Sequence, residues 1–295
     1  MCLKKIIANA LPARHAALLR RRYRLFRQRL HRPMSEDAFR QVLTQRLGVK
    51  RGDTLFVHSS IDYLNTDLSA FRVLTVLTDV VGEEGLLLFP AWHFGGRAED
   101  YLRDGSNVFD VKRSATVMGL LPELARRYPG AQRSIHPTSS IVAIGNRAKE
   151  VVSGHETSVY PCGESSPYCK MLKYGARIIG LGVNANFLSF IHCPEDVMAR
   201  DFPCRTRTDR TFFGKVKLPD GTLIAVETLA AHENIRRRNI PAFLKKYVSK
   251  DIFRAYRIHG SEFYIADANA LFGRIVELAK KKITVYNMGM RQCEN

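Results

Sequence analysis

Apolar residues along this chain fall into two rhythms. Residues 54–58, 85–89, 140–144 and 177–181 are short, nearly continuous apolar runs edged by Gly, Ser or Asp, the pattern of strands buried on both faces. Between them, residues 36–47, 71–81, 118–128, 147–152 and 166–174 repeat with a helical period. Ser35 is placed as N-cap of the first helix, with Glu36 and Asp37 in its first turn and Gly48 at its end. Pro167 sits at the first position of the last helix. Strands alternating with helices over roughly 130 residues predict an α/β fold, a central mixed, largely parallel sheet flanked by helices. After Arg200 the rhythm changes. Residues 211–217 and 222–226 alternate around Pro219-Asp220-Gly221, which predicts a β-hairpin within a 201–260 region. A polar helical stretch follows, then a strand at 261–265, a helix at 268–280 and a short strand at 283–286.

The first 34 residues follow a different logic. Leu19, Tyr23, Phe26 and Leu30 recur at helical spacing, with Arg20, Arg21, Arg22, Arg24, Arg27 and Arg29 between them. This is a basic amphipathic helix, the pattern of a segment lying on an anionic membrane surface. Packing on its own domain with a solvated basic face is the competing reading, and nucleic acid is a weaker fit. Arginines interrupt every apolar run, so it is no secretory signal. Pro33–Asp37 reads as a linker, giving residues 1–34 as a basic segment and 35–290 as the main domain. The segment carries ten Lys/Arg and no acid, and the whole chain holds 46 Lys/Arg against 28 Asp/Glu, a net charge of +18. No run of 18 apolar residues exists, so no transmembrane helix is expected. Six cysteines in 295 residues, none in C-x-x-C, fit reduced thiols in a cytoplasmic protein, peripheral to the inner membrane face if the helix binds there.

Candidate chemistry centres on Ser189, His192 and Glu195. They follow an apolar run ending in Gly180-Leu181-Gly182-Val183, the place where α/β proteins put their sites. Three-residue spacing puts a hydroxyl, an imidazole and a carboxylate on one helix face within about 120°. Imidazole accepts a proton near neutral pH, and a carboxylate beside it orients the ring. Pro194 makes this face less secure: proline is poorly tolerated inside a helix, so the His192–Glu195 segment reads as a helix start or a kinked turn. Cys193 adjoins His192 without a second base to activate it. No P-loop, dinucleotide glycine fingerprint, zinc spacing or G-x-S-x-G elbow is present.

Further polar clusters stand in order along the chain. They are His58-Ser59-Ser60-Ile61, Met118-Gly119 with Pro122-Glu123, Arg133-Ser134-Ile135-His136-Pro137 with Ser140, Gly163 with Ser166-Pro167, and Leu181-Gly182-Val183. With Ser189, His192 and Glu195 this ordered set resembles the aminoglycoside 3-N-acetyltransferase family, over about residues 36–290 and most strongly over 52–200. Ser189 stands where the family usually has threonine. The resemblance implies an α/β domain that binds acetyl-CoA and acetylates an amine, without a metal or a covalent enzyme intermediate. It implies His192 as general base, Glu195 as its orienter, and Ser189 near the thioester or its oxyanion. His58, Ser59, Ser60 and Ile61 would cradle the pantetheine arm. Arg133 and Ser134 would meet CoA phosphates or brace the site, and His136 would be structural.

Net charge bears on the acceptor. A protein at +18 repels polycations and steers anions toward itself. The expected acceptor is therefore the amine of a nucleotide- or lipid-linked amino sugar, as in surface polysaccharide or glycolipid assembly. The alternatives are an aminoglycoside antibiotic as acceptor, or a non-enzymatic nucleic-acid- or membrane-binding protein.

Overall fold

The computed structural model describes residues 30–286, together with His15, Leu19, Arg22, Tyr23, Phe26 and Gln28 ahead of them. The polypeptide enters through α1 (Glu36–Gln41), whose N-cap Ser35 accepts the Ala38 N–H; the helix continues as a π turn, Val42–Arg46. The segment before it is anchored. Met34 is fully buried and bridges to Thr66, so the expected linker is a fixed connection.

Next come β1 (Thr54–Ser59), α2 (Ala70–Val81), β2 (Leu86–Pro90), α3 (Ala98–Arg103), β3 (Val108–Asp110) and α4 (Leu120–Arg126). These lead into β4 (Gln132–Arg133), β5 (Ile141–Gly145), α5 (Ala148–Val152), α6 (Pro167–Lys170), β6 (Arg177–Leu181) and α7 (His192–Met198). The last elements are β7 (Arg207–Lys217), β8 (Leu223–Ala231), α8 (Ile240–Tyr247), β9 (Phe253–Ile258), β10 (Ser261–Asp267) and α9 (Ala268–Lys280).

Among the described residues, seven strands form one sheet in the order β4-β5-β2-β1-β6-β10-β9. The sheet is mixed, as expected, but parallel pairing is confined to β2–β1–β6; β5, β4, β10 and β9 join antiparallel. Alternate side chains of the central strands feed two cores. Leu55 and Val57 of β1 join the cluster around α1, α2 and α4, while Phe56 joins the one that includes α9. The β7–β8 hairpin forms, and β3 adds to it as a second sheet. Residues 283–286 are not a strand. Val285 and Tyr286 are buried, and the Val285 carbonyl accepts the Asn239 N–H, so this apolar run packs without a sheet partner.

Two glycines set the site end of the sheet. A Cβ on Gly180 would lie 2.1 Å from the Tyr264 ring. Gly182 has φ +70°, and a Cβ there would meet the Ser60 carbonyl at 2.5 Å. Only glycine allows the β6 turn to approach the loop after β1 this closely.

Buried histidines tie stability to pH. Burial pushes His58 and His155 down to about 3 and His136 well below the ordinary histidine range. The unfolded chain titrates near 6.5, so below that pH it binds protons that the folded chain refuses. Stability is complete above about pH 6.5 and falls as pH drops toward 3. At pH 5 the loss is about 2 kcal/mol for each of His58 and His155. Urea unfolding at pH 7 and pH 5 should show this drop; equal unfolding free energies at the two values would refute it.

Candidate active site

The centre forms where β1 and β6 end and α7 begins. A 3-10 turn, Ser189–Ile191, runs directly into α7 at His192. Pro194 lies in the first turn of α7, where its absent N–H would have no intrahelical partner in any case. The helix is therefore intact, and His192 and Glu195 share a face. His192 Nδ1 lies 2.7 Å from Glu195 Oε2. Tyr286 Oη donates to the other carboxylate oxygen, Oε1, at 2.8 Å. Burial, and then the Glu195 charge, push the Tyr286 phenol well above its usual value, so it stays a donor. With Glu195 accepting at Nδ1, the ring proton belongs on Nδ1 and the Nε2 lone pair is free. Glu195 is 1% exposed and His192 7%.

Ser189 leaves this face because it precedes the helix. Its Oγ lies 2.8 Å from His58 Nε2, and its backbone N–H donates to the same nitrogen at 3.2 Å. Nε2 is therefore an acceptor, which places the His58 proton on Nδ1, buried without a partner among the described residues. The pair ties the 189–191 turn to the end of β1, and the Ser189 hydroxyl proton is spent on His58. The expected one-face triad is thus a His192–Glu195 pair beside a Ser189–His58 pair.

The other expected residues separate into two groups. Ser59, Ser60 and Ile61 lie partly exposed at the end of β1, and Ser59 Oγ is buried with no hydrogen-bond partner among the described residues. The Ser59 hydroxyl is therefore unspent by the fold. Arg133 and Ser134 instead brace the interior. The Arg133 guanidinium donates to the carbonyls of Ala91, Val111 and Ser114 and to Ser140 Oγ, and burial brings it down to about 9. Ser134 is fully buried between the Ile141 N–H and His155 Nδ1. Their donors are consumed by the fold, so direct contact with CoA phosphates is not met. His136 is fully buried; its Nδ1 accepts the Thr138 and Ser139 N–H groups, a structural role. Cys193 is fully buried in the core, and burial raises its thiol well above the usual range, so it is no nucleophile.

Spacing did not reveal Tyr286, Asp196 or Arg207. Asp196 is 3% exposed and accepts two bonds from Arg207, at 2.7 and 2.6 Å, and the Cys162 N–H at 2.7 Å. Burial works against the Arg207 cation, but the Asp196 charge outweighs it and holds it protonated. The only local signal was an acid directly after Glu195.

His192 opens into a cavity of about 200 Å³ whose wall includes Trp92, Thr138, Ser139, Cys162 and Arg207. Among the described residues no group of three His, Cys, Asp or Glu side chains is placed to hold a metal ion. The expected basic N-terminal helix lies largely outside the described residues. Of its apolar row, Leu19, Tyr23 and Phe26 are helical, and these three with Leu30 are 50–67% exposed.

Known proteins match this chain in sequence and in fold. The profile of the aminoglycoside 3-N-acetyltransferase family matches residues 56–280. Aminoglycoside N(3)-acetyltransferase IX of Micromonospora chalcea is 26% identical over 257 residues, 80% of this chain and 90% of that protein. Aminoglycoside N(3)-acetyltransferase III of Salmonella sp. is 32% identical over 165 residues, covering 52% of this chain and only 57% of the relative. Among solved structures, aminoglycoside acetyltransferase AAC(3)-Xa aligns with a TM-score of 0.73 at 22% identity, over 90% of this chain and 99% of that one. The binary complex of AAC-IIIb with CoASH aligns at 0.70 and 23% identity, over 85% and 98%. At such identities the two structures are alike in fold.

Proposed function

Since the chain belongs to the aminoglycoside 3-N-acetyltransferase family, we propose that it moves the acetyl group of acetyl-CoA to the primary amine of an amino sugar, with His192 as general base. The observation that carries the residue assignment is the buried Tyr286–Glu195–His192 relay, which leaves one imidazole nitrogen free at a cavity wall.

An acetyl-CoA-dependent N-acetyltransferase such as this must free an amine lone pair that is mostly protonated at neutral pH. The amine nitrogen attacks the thioester carbonyl carbon, the carbon–sulfur bond breaks, and the sulfur leaves with CoA. The proton lost by the amine passes to His192 Nε2, and Glu195 stabilises the resulting imidazolium. Proton transfer of this kind contributes roughly 10²–10⁴-fold. Ser59, Ser60 and Ile61 are our residues for the pantetheine arm, and His58 and Ser189 position the turn that carries His192.

The relatives described above are named for aminoglycosides, and an aminoglycoside amine is the acceptor that this likeness favours. The nucleotide- or lipid-linked sugar expected from net charge gains nothing from them. Acetyl-CoA consumption against gentamicin-class amines and against free and phosphorylated amino sugars tests the reading. Transfer to at least one amine, lost in His192→Ala, is expected. Transfer to none, or an undiminished variant, would overturn it.

Residues 1–34 are our candidate for holding the protein at an anionic membrane surface. The exposed Leu19, Tyr23, Phe26 and Leu30 and ten basic residues favour this. Among the described residues no helix is long and apolar enough to cross a membrane. Binding to anionic liposomes should be lost when residues 1–34 are deleted; unchanged binding would sink the idea.

A further inference from the structure

We infer that Asn65 is a positioning residue for acetyl-CoA: it ties Gln28 and residues 30–34 to the loop that carries Ser59, Ser60 and Ile61. This rests on the reading of those three residues as the pantetheine cradle, and it holds whichever amine is the acceptor.

The loop is held at two ends. At its start the Ser60 N–H donates to the Leu181 carbonyl at 2.9 Å, and a 3-10 turn, Ile61–Tyr63, leads on to the buried Leu64. Gly182 lies directly beneath, where a Cβ would meet Leu64 N at 2.8 Å. At its end stands Asn65. Its backbone N–H donates to Ser261 Oγ at 2.7 Å, and its carbonyl accepts the Met34 N–H at 2.9 Å. Its carboxamide nitrogen lies 3.0 Å from the His259 carbonyl and 3.2 Å from the carbonyls of both Gln28 and His31. An amide NH2 carries two protons, so these carbonyls share them and the side chain sits where three segments cross.

The crossing is braced by its neighbours. Thr66 Oγ1 donates to the Met34 carbonyl at 2.7 Å, and His259 Nδ1 lies 3.1 Å from the Arg32 carbonyl. His259 has φ +47°, a conformation that a residue other than glycine keeps only where its surroundings hold it. Met34 is fully buried, and Gln28 is buried although polar. The crossing also lies at the site end of the sheet. Ser261 opens β10, and two residues on Phe263 pairs with Leu181, the β6 partner of Ser59. The family profile begins at residue 56, so the segment that Asn65 holds lies outside that match.

A loop pinned at both ends keeps few conformations. Released at one end, it must be ordered again when CoA binds, and that entropy is subtracted from affinity. The loss therefore falls on CoA binding and not on proton transfer at His192. Linkage is reciprocal: if the N-terminal residues hold the loop for CoA, bound CoA steadies those residues in return.

CoASH is the probe, because its binding needs no acceptor. In the full chain, CoASH is expected to slow amide hydrogen exchange in residues 28–34, and Asn65→Ala to abolish that protection. The same variant should raise the CoASH Kd, measured by calorimetry, and the acetyl-CoA KM by about fivefold or more, with kcat and the acceptor KM within about twofold. A residue that only stabilised the fold would lower Tm without this split. Ser261→Ala removes the acceptor of the Asn65 N–H alone; it should move the CoASH Kd the same way by a smaller factor, and it decides the matter if Asn65→Ala does not fold. Ser59→Ala tests the cradle itself. Weaker CoASH binding in Ser59→Ala with none in Asn65→Ala overturns the inference and leaves the cradle standing. No weakening in either removes the cradle and the inference together. Protection of residues 28–34 that survives in Asn65→Ala would mean that they touch CoA directly, and absence of protection in the original chain would break the coupling; either result overturns the inference.

Discussion

His192→Ala is expected to lower kcat by about 10²–10⁴-fold at neutral pH while leaving the KM for acetyl-CoA near its original value. The ring's Nδ1 is fixed by Glu195 at 2.7 Å and its other nitrogen faces the cavity, so the substitution removes the proton acceptor and little else. Glu195→Gln should act in the same direction and less strongly. It replaces a charge-assisted hydrogen bond of about 1.5–3 kcal/mol with a neutral one of about 0.5–1.5 kcal/mol, a cost of roughly tenfold in kcat. The variants should not add, because both act on one proton transfer. Steady-state kinetics on the two single variants and the double variant checks this. A His192→Ala enzyme within threefold of the original would remove His192 from the mechanism. Strictly additive losses would break the link between His192 and Glu195.

Asp196→Ala is expected to cost about 3–5 kcal/mol of stability, among the largest effects of any single substitution in this chain. It strands the buried Arg207 guanidinium, which lies within 2.7 Å of both carboxylate oxygens, and it leaves the Cys162 N–H without its acceptor. A buried charge without a partner is far more costly than the pair's net contribution. Replacing both partners by apolar residues, Asp196→Leu with Arg207→Met, should therefore recover part of the loss. Denaturant unfolding of the single and double variants measures both. A single variant destabilised by less than 1 kcal/mol, or a double variant less stable than the single one, would contradict the account.

Much of the site was legible because its signals are local. The N-cap read at Ser35 is formed through the Ala38 N–H, three positions away. The His192–Glu195 pair is likewise one turn of one helix. Pro194 left a helix start or a kinked turn open, because its effect depends on where the helix begins; α7 begins two residues before it, so the first of these holds. Arg133 and Ser134 were open to binding CoA while only their order along the chain was known. Packing decided otherwise by surrounding them with carbonyl, hydroxyl and imidazole partners from several separate segments.

The sequence by itself determined the strand and helix rhythm, the order of the polar clusters and, through them, the family. These are properties of residues within a few positions of one another, where backbone geometry converts spacing directly into contact. Only the tertiary structure decided that β5 and β10 run antiparallel to the central strands, since an apolar run reads the same in either direction. It alone brought Tyr286 to Glu195 across 91 residues and Ser189 to His58 across 131. It also gathered Arg97, Arg236 and Arg238 around the cavity that His192 faces. Contacts at such separations leave no periodicity in the chain. They follow from which faces pack together, and that is a property of the whole core.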